Sequence, residues 1–152
     1  MELIVFSGIQ ASGKTTFYRE RFLATHARVS LDLLKTRQRE DILLFACFAA
    51  QQPVVVDNTN PLAAQRTRYV HLARAAGFRA VLYFFDVSTR TAVGRNSGRE
   101  GNAKVANVAI FGSQKKLQRP TRDEGFDEIF RVTTGEGEDA TAAFVIEPWF
   151  EQ

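Results

Sequence analysis

Three apolar runs stand out along the chain: ELIVF at 2–6, VVV at 54–56 and FRAVLYFF at 78–85. Runs without polar alternation suit strands of a parallel sheet covered on both faces. The first ends in a glycine-rich turn and is followed by KTTFYRERFLA, which opens a βα unit with a helix from Lys14. A short second strand is expected at 28–30. A long helix should then start at Asp32 and show a broad apolar face of Leu33, Leu34, Leu44, Phe45 and Phe48, until Pro53 stops it. After VVV, the DNTNP turn offers Asn60 as an N-cap and Pro61 as the first residue of a helix ending at Gly77. Ser88 is a candidate cap for a short helix. The glycine-rich, basic residues 94–104 read as a mobile loop, residues 105–118 as the last helix and 128–132 as a strand. The segment TTGEGEDAT at 133–141 predicts a turn or small loop before a final strand at 144–146. Strands alternating with helices predict a doubly wound, mostly parallel α/β sheet in one domain spanning residues 1–152.

Composition narrows this picture. At 45% hydrophobic and 24% charged residues the chain is globular, and no apolar run reaches the roughly 18 residues of a membrane span. The opening MELIVFS lacks the basic start of a signal peptide, so a cytoplasmic protein without membrane contact is expected. The single Cys47 excludes a disulfide framework and reads as a buried structural thiol; His26 and His71 read as lone surface residues. The net charge of +3 hides an asymmetry: residues 61–122 hold 12 Lys or Arg against Asp86 and Glu100, whereas residues 123–152 hold nine acids and Arg131 alone. A basic middle segment suits a phosphate-rich ligand, although Arg66, Arg68 and Arg74 fit equally well as solvated charges on a helix face.

The segment GIQASGKT places Gly8, Gly13, Lys14 and Thr15 at every defined position of G-x-x-x-x-G-K-[ST], between a strand and a helix. Glycines let backbone N–H groups turn onto phosphate oxygens, and the positive helix N-terminus faces the anion. Gly8, Ala11, Ser12, Gly13, Lys14, Thr15 and Thr16 are therefore the expected nucleotide cradle. Lys14 would lie along the β and γ phosphates of ATP, and the Thr15 hydroxyl would ligate Mg²⁺.

Asp32 follows Lys14 by 18 residues at the predicted start of a helix, over the carboxyl edge of the sheet where open α/β folds bind ligands. A carboxylate there can accept the proton of an attacking hydroxyl; it can equally be an N-cap. Asp57, ending the VVV strand, is either a second acid near Mg²⁺ or a plain turn carboxylate. Arg95 and Arg99, four apart in the basic loop, either close over the γ-phosphate as transition-state charge builds or remain solvated.

Together GIQASGKTTF, SLD at Asp32, VVVDNTN, RNSGR and RPTRDEGFDEI resemble the 5′-hydroxyl polynucleotide kinase domain of phage and animal end-healing enzymes, over roughly residues 3–132. The resemblance implies a P-loop kinase fold with an arginine-bearing lid at about 94–118. It also implies transfer of the γ-phosphoryl group of ATP, with Mg²⁺, to a 5′-OH end of DNA or RNA. It makes Asp32 the general base, Lys14 and Thr15 the phosphate and metal ligands, and Arg99 a lid arginine on the ATP phosphates with Arg95 beside it. Thr59 would hold the acceptor nucleotide. Lys35 stands where phage-type members carry an arginine for the acceptor phosphate, keeping the charge and losing the bidentate fork. A kinase of the same fold acting on a small-molecule hydroxyl, whether metabolite, nucleoside or antibiotic, is the alternative.

Overall fold

The computed structural model describes residues 1–99, 101, 106–134 and 144–149. Its core is a six-stranded sheet: β1 (Glu2–Ser7), β2 (Ala27–Val29), β3 (Val54–Val56), β4 (Arg79–Phe85), β5 (Glu128–Thr133) and β6 (Val145–Pro148), in the order β2-β3-β1-β4-β5-β6. The first five strands are parallel, and β6 closes the edge antiparallel to β5. The doubly wound expectation holds, and the reason lies in the uninterrupted apolar run of β1. Leu3 and Val5 face a core shared with Leu44, Phe48, Tyr69 and Val70 on one side; Ile4 and Phe6 face Phe17, Phe22, Tyr83 and Phe85 on the other. Both faces being covered, no polar alternation survives. Helix α1 (Lys14–Arg21) covers the second face, while α3 (Arg37–Ala49) and α4 (Ala63–Ala75) cover the first. Among the described residues no helix is long and apolar enough to cross a membrane.

Several local expectations are corrected. The long helix from Asp32 is two helices, α2 (Leu31–Leu34) and α3, because Lys35 turns left-handed at φ 70° and Thr36 restarts the chain by accepting a hydrogen bond from the Arg39 N–H at 3.2 Å. The break rotates the predicted apolar face, so Leu44 and Phe48 are buried while Leu33 and Phe45 are exposed. Helix α4 starts two residues after Pro61. Asn60 does not cap it: it sits buried at φ 40°, a region Asn tolerates, and donates its side-chain amide to the Phe6 carbonyl at 2.9 Å. Ser88 does cap α5 (Thr89–Ser97), accepting from the Thr91 N–H.

The basic stretch at 94–104 is not all loop. Residues through Ser97 complete α5, and buried Asn96 donates to the Asn107 side chain of α6 (Asn107–Lys116), so the two helices pack as a pair over Ala92 and Ile110. Val105 and most of the predicted 133–141 turn lie outside the described residues; β5 runs through Thr133, and β6 begins at Val145. His26 is no free surface group, since its Nε2 lies 2.8 Å from Glu2. His71 is exposed as expected, and Cys47 is half-buried, its thiol pushed up by that burial.

Arg66 departs furthest from the expected solvated face. It is wholly buried, donates from Nε and Nη2 to both carboxylate oxygens of Glu124 at 2.6 and 3.0 Å, and reaches the Asn60 carbonyl and the Ser7 hydroxyl with Nη1. Arg68 pairs with Asp41, and Arg74 donates to the Gly125 carbonyl. Arg66→Met is expected to destabilise the fold by roughly 3–5 kcal/mol in denaturant unfolding, because the Glu124 charge is left buried without a partner. The double variant Arg66→Met, Glu124→Gln should recover part of that loss. An Arg66→Met variant as stable as wild type would mean that the pair carries no such burden.

Candidate active site

The carboxyl ends of β1, β3 and β4 converge on the glycine turn. The Gly8 N–H donates to the Thr59 carbonyl at 2.9 Å, and a Cβ at Gly8 would meet the Phe85 Cβ at 2.8 Å, so only glycine lets β1 and β4 end this close together. Ala11 takes φ 60° and Gly13 φ 99°, which turns the chain sharply into α1. The α1 N-terminus has no side-chain cap and no acid in its first turn, leaving its N–H donors to an anion. Ser12 is buried, Thr15 half-buried and Thr16 exposed.

Lys14 is buried and its Nζ donates to the carbonyls of Gly8 and Ile9 at 3.0 and 2.6 Å, and to the Ser12 hydroxyl at 3.3 Å. Burial holds its ammonium down at about 8; Asp57 and Asp32 oppose that shift and Arg99 adds to it. Both candidate carboxylates and the candidate lid arginine therefore sit within electrostatic reach of one ammonium.

The Thr15 hydroxyl donates to Asp57 Oδ2 at 3.0 Å, and Arg28 donates to the same oxygen from Nε at 2.8 Å and to the Thr15 hydroxyl from Nη2 at 3.4 Å. A hydroxyl and a nearly buried carboxylate are hard oxygen donors of the kind Mg²⁺ takes, and here both are held by the Arg28 guanidinium. Asp57 is thus no idle turn residue. Arg28 is absent from the sequence-derived site; a charged residue in the three-residue strand β2 is the signal that marks it.

Arg95 lies over the turn: its Nη1 would stand 3.1 Å from a Cβ on Gly13, beside the Phe144 ring at 3.0 Å, and that ring packs edge-on against Phe17. Burial and then Arg99 lower the pKa of its guanidinium. Arg99→Ala is expected to lower turnover at least tenfold with little change in nucleotide affinity, while Arg74→Ala, on the α4 surface, leaves both unchanged; equal small effects at the two positions would remove the lid from the chemistry.

Asp32 is exposed in the first turn of α2, and the N-cap alternative is settled against it. Ser30 occupies the cap position, and the Leu31 N–H is satisfied by Asn58 Oδ1 at 2.8 Å. Lys35 is exposed at the C-terminal end of the same short helix, and Thr59 is half-buried behind the glycine turn.

A family profile described as an AAA domain matches residues 35–120, more than half of the sequence. The chain belongs to this family. The matched segment begins beyond the glycine turn, so the P-loop at 8–15 adds to that assignment independently. Two curated relatives are similar: the bifunctional polynucleotide phosphatase/kinase of Schizosaccharomyces pombe, 25% identical over 135 residues and 86% of this chain, and a putative bifunctional polynucleotide phosphatase/kinase of Acanthamoeba polyphaga mimivirus, 28% identical over 141 residues and 87% of this chain. They bear out the resemblance read from the motifs. The chain spans about a third (33%) of the length of each of these relatives.

Solved structures share the fold. Kti12 of Chaetomium thermophilum with ADP-AlF3 matches at a TM-score of 0.64 and 18% identity, covering 91% of this chain and 93% of that one. A gluconokinase of Sinorhizobium meliloti 1021 matches at 0.62 and 17%, covering 90% and 84%. A chain of the Pnkp1/Rnl/Hen1 RNA repair complex matches at 0.59 and 20%, covering 76% and 43%. The AAA domain here is a P-loop kinase fold.

Proposed function

We propose that the chain transfers the γ-phosphoryl group of ATP to a 5′-hydroxyl end of DNA or RNA. The observation that supports this reading is that Asp57, Arg99 and Asp32 all act electrostatically on the buried Lys14 ammonium, at an uncapped helix N-terminus. Asp32 is exposed and caps nothing, as a base open to an acceptor hydroxyl requires.

In the reaction Lys14 exchanges the Gly8 and Ile9 carbonyls for β and γ phosphate oxygens, and the α1 N–H groups hold the remaining oxygens. Asp32 accepts the proton of the attacking hydroxyl as its oxygen bonds to the γ phosphorus and the bridging P–O bond breaks, releasing ADP. Thr15 and Asp57 would hold Mg²⁺, which neutralises charge on the β and γ oxygens. Arg95 and Arg99 lie in a lid of about residues 94–118, part of one kinase domain spanning 1–152, and meet the charge that grows in the transition state.

The acceptor rests on the two polynucleotide relatives and on the motif resemblance, with Lys35 and Thr59 flanking Asp32 and the glycine turn. Contacts to phosphate rather than to bases predict weak sequence preference and an affinity that falls with salt, at a log–log slope of roughly −0.7 per contacted phosphate for single strands. The test compares kcat/KM for a 5′-OH nucleoside, its 3′-phosphate and a short oligomer at two salt concentrations, beside a panel of sugars and small alcohols. The expected order is oligomer and 3′-phosphate well above nucleoside. No advantage from the 3′-phosphate, no salt effect and efficient phosphorylation of a small alcohol would replace the polynucleotide acceptor with a metabolite.

A further inference from the structure

Helix α2 is four residues long and fully buries no side chain, with only Leu34 packing partly against the core. So short a helix has little stability of its own, and something outside it must fix where Asp32 stands. Its N-terminal N–H, on Leu31, is held by the Asn58 side chain from the turn after β3, which at the same time donates from Nδ2 to Glu40 Oε2 at 2.9 Å. Glu40 is completely buried and is itself held by Arg37 Nη1 at 2.8 Å and the Tyr69 hydroxyl, while Arg37 also donates to the Tyr69 oxygen at 2.6 Å. Burial and the Glu40 carboxylate push the Tyr69 phenol up, so it remains a donor. The residues on either side of Asn58 are Asp57, on the Thr15 hydroxyl, and Thr59, whose carbonyl receives the Gly8 N–H.

We infer that Asn58 is a positioning residue for Asp32, locked by Glu40, Arg37 and Tyr69, so that one turn sets the register of the base against the metal and phosphate ligands. The amide is suited to this because it accepts from α2 with its oxygen and donates to α3 with its nitrogen; an ionised Asp accepts only and cannot donate to Glu40. The inference rests on the base role proposed for Asp32 and is separable from it.

The experiment uses the full chain and the acceptor with the highest turnover in the panel above. Asn58→Ala should lower kcat at least tenfold, leave the Kd for ATP within about twofold and abolish hydrogen-exchange protection of the Leu31 amide. Asn58→Asp keeps an oxygen facing Leu31 but cannot donate to Glu40, so it should lower kcat as well while leaving the Kd for ATP within about twofold. Both variants are assayed below their own melting temperatures, and Leu31 exchange is read on the same samples. An unchanged kcat in both variants, a loss of nucleotide affinity in step with kcat, or Leu31 protection that survives Asn58→Ala would overturn the positioning role. If Asp32→Asn transfers normally, the base role itself falls, and this inference with it; if Asp32→Asn is dead and Asn58→Ala is normal, only the positioning role falls.

Discussion

Asp32→Asn is expected to cut phosphoryl transfer by about 10²–10⁴-fold while ATP affinity and the melting temperature stay close to wild type. The amide keeps the size and shape of the carboxylate and loses only its capacity to accept a proton. Stability should scarcely move, because Asp32 caps nothing: the Leu31 N–H belongs to Asn58, and what remains is a first-turn charge on a short helix, worth a few tenths of a kcal/mol to about 1. Removing that charge also takes away one of the two carboxylates that favour the Lys14 ammonium, the lesser of the pair after Asp57. A small shift of the alkaline limb of nucleotide binding is therefore part of the expected result. Equilibrium ATP binding and single-turnover transfer measured on the same preparation separate the two effects. Normal transfer by Asp32→Asn would end the general-base reading, whatever the nucleotide does.

How far the sequence exposes this site depends on which interactions are local. Strands β1 and β4 are legible because burial on both faces leaves them continuously apolar, and the P-loop is legible because backbone geometry at Gly8 and Gly13 admits few residues. The break at Lys35 is not, since a left-handed lysine leaves no compositional trace and the apolar spacing runs through it. Arg66 misleads for a related reason: an arginine at a helical position looks solvated until its partner is known, and Glu124 lies 58 residues away. The roles of Arg28 and Asn58 leave no mark in the sequence because each makes its contacts through tertiary partners, Asp57 in the first case and Leu31 with Glu40 in the second. The basic character of their segment marks Arg95 and Arg99 in the sequence as candidates, and α5 carries the first as helix rather than loop.

Lys14→Met should lower transfer by at least roughly a hundredfold, the scale expected for losing one preorganised donor to transition-state charge. The same variant should also erase a pH dependence. With its ammonium held down at about 8 by burial, Lys14 of the nucleotide-free protein loses its proton above that pH. Phosphates arriving at contact distance favour the charged form, so binding above pH 8 must take up a proton. Affinity for ATP is then flat below pH 8 and falls as pH rises beyond it, approaching tenfold per unit until the raised pKa of the complex is reached. Unfolding runs in the opposite sense. The unfolded chain keeps the Lys14 proton up to its ordinary value near 10.5, so between about 8 and 10.5 it binds more protons than the folded one, and the free protein gains stability from this group as pH rises. Titration calorimetry at pH 9 in buffers of different ionisation enthalpy reads the proton uptake directly, and the difference between wild type and Lys14→Met isolates it from other titrating groups. Equal proton uptake in the two proteins would place the linkage elsewhere, and near-normal turnover of Lys14→Met would remove the glycine turn's lysine from the mechanism.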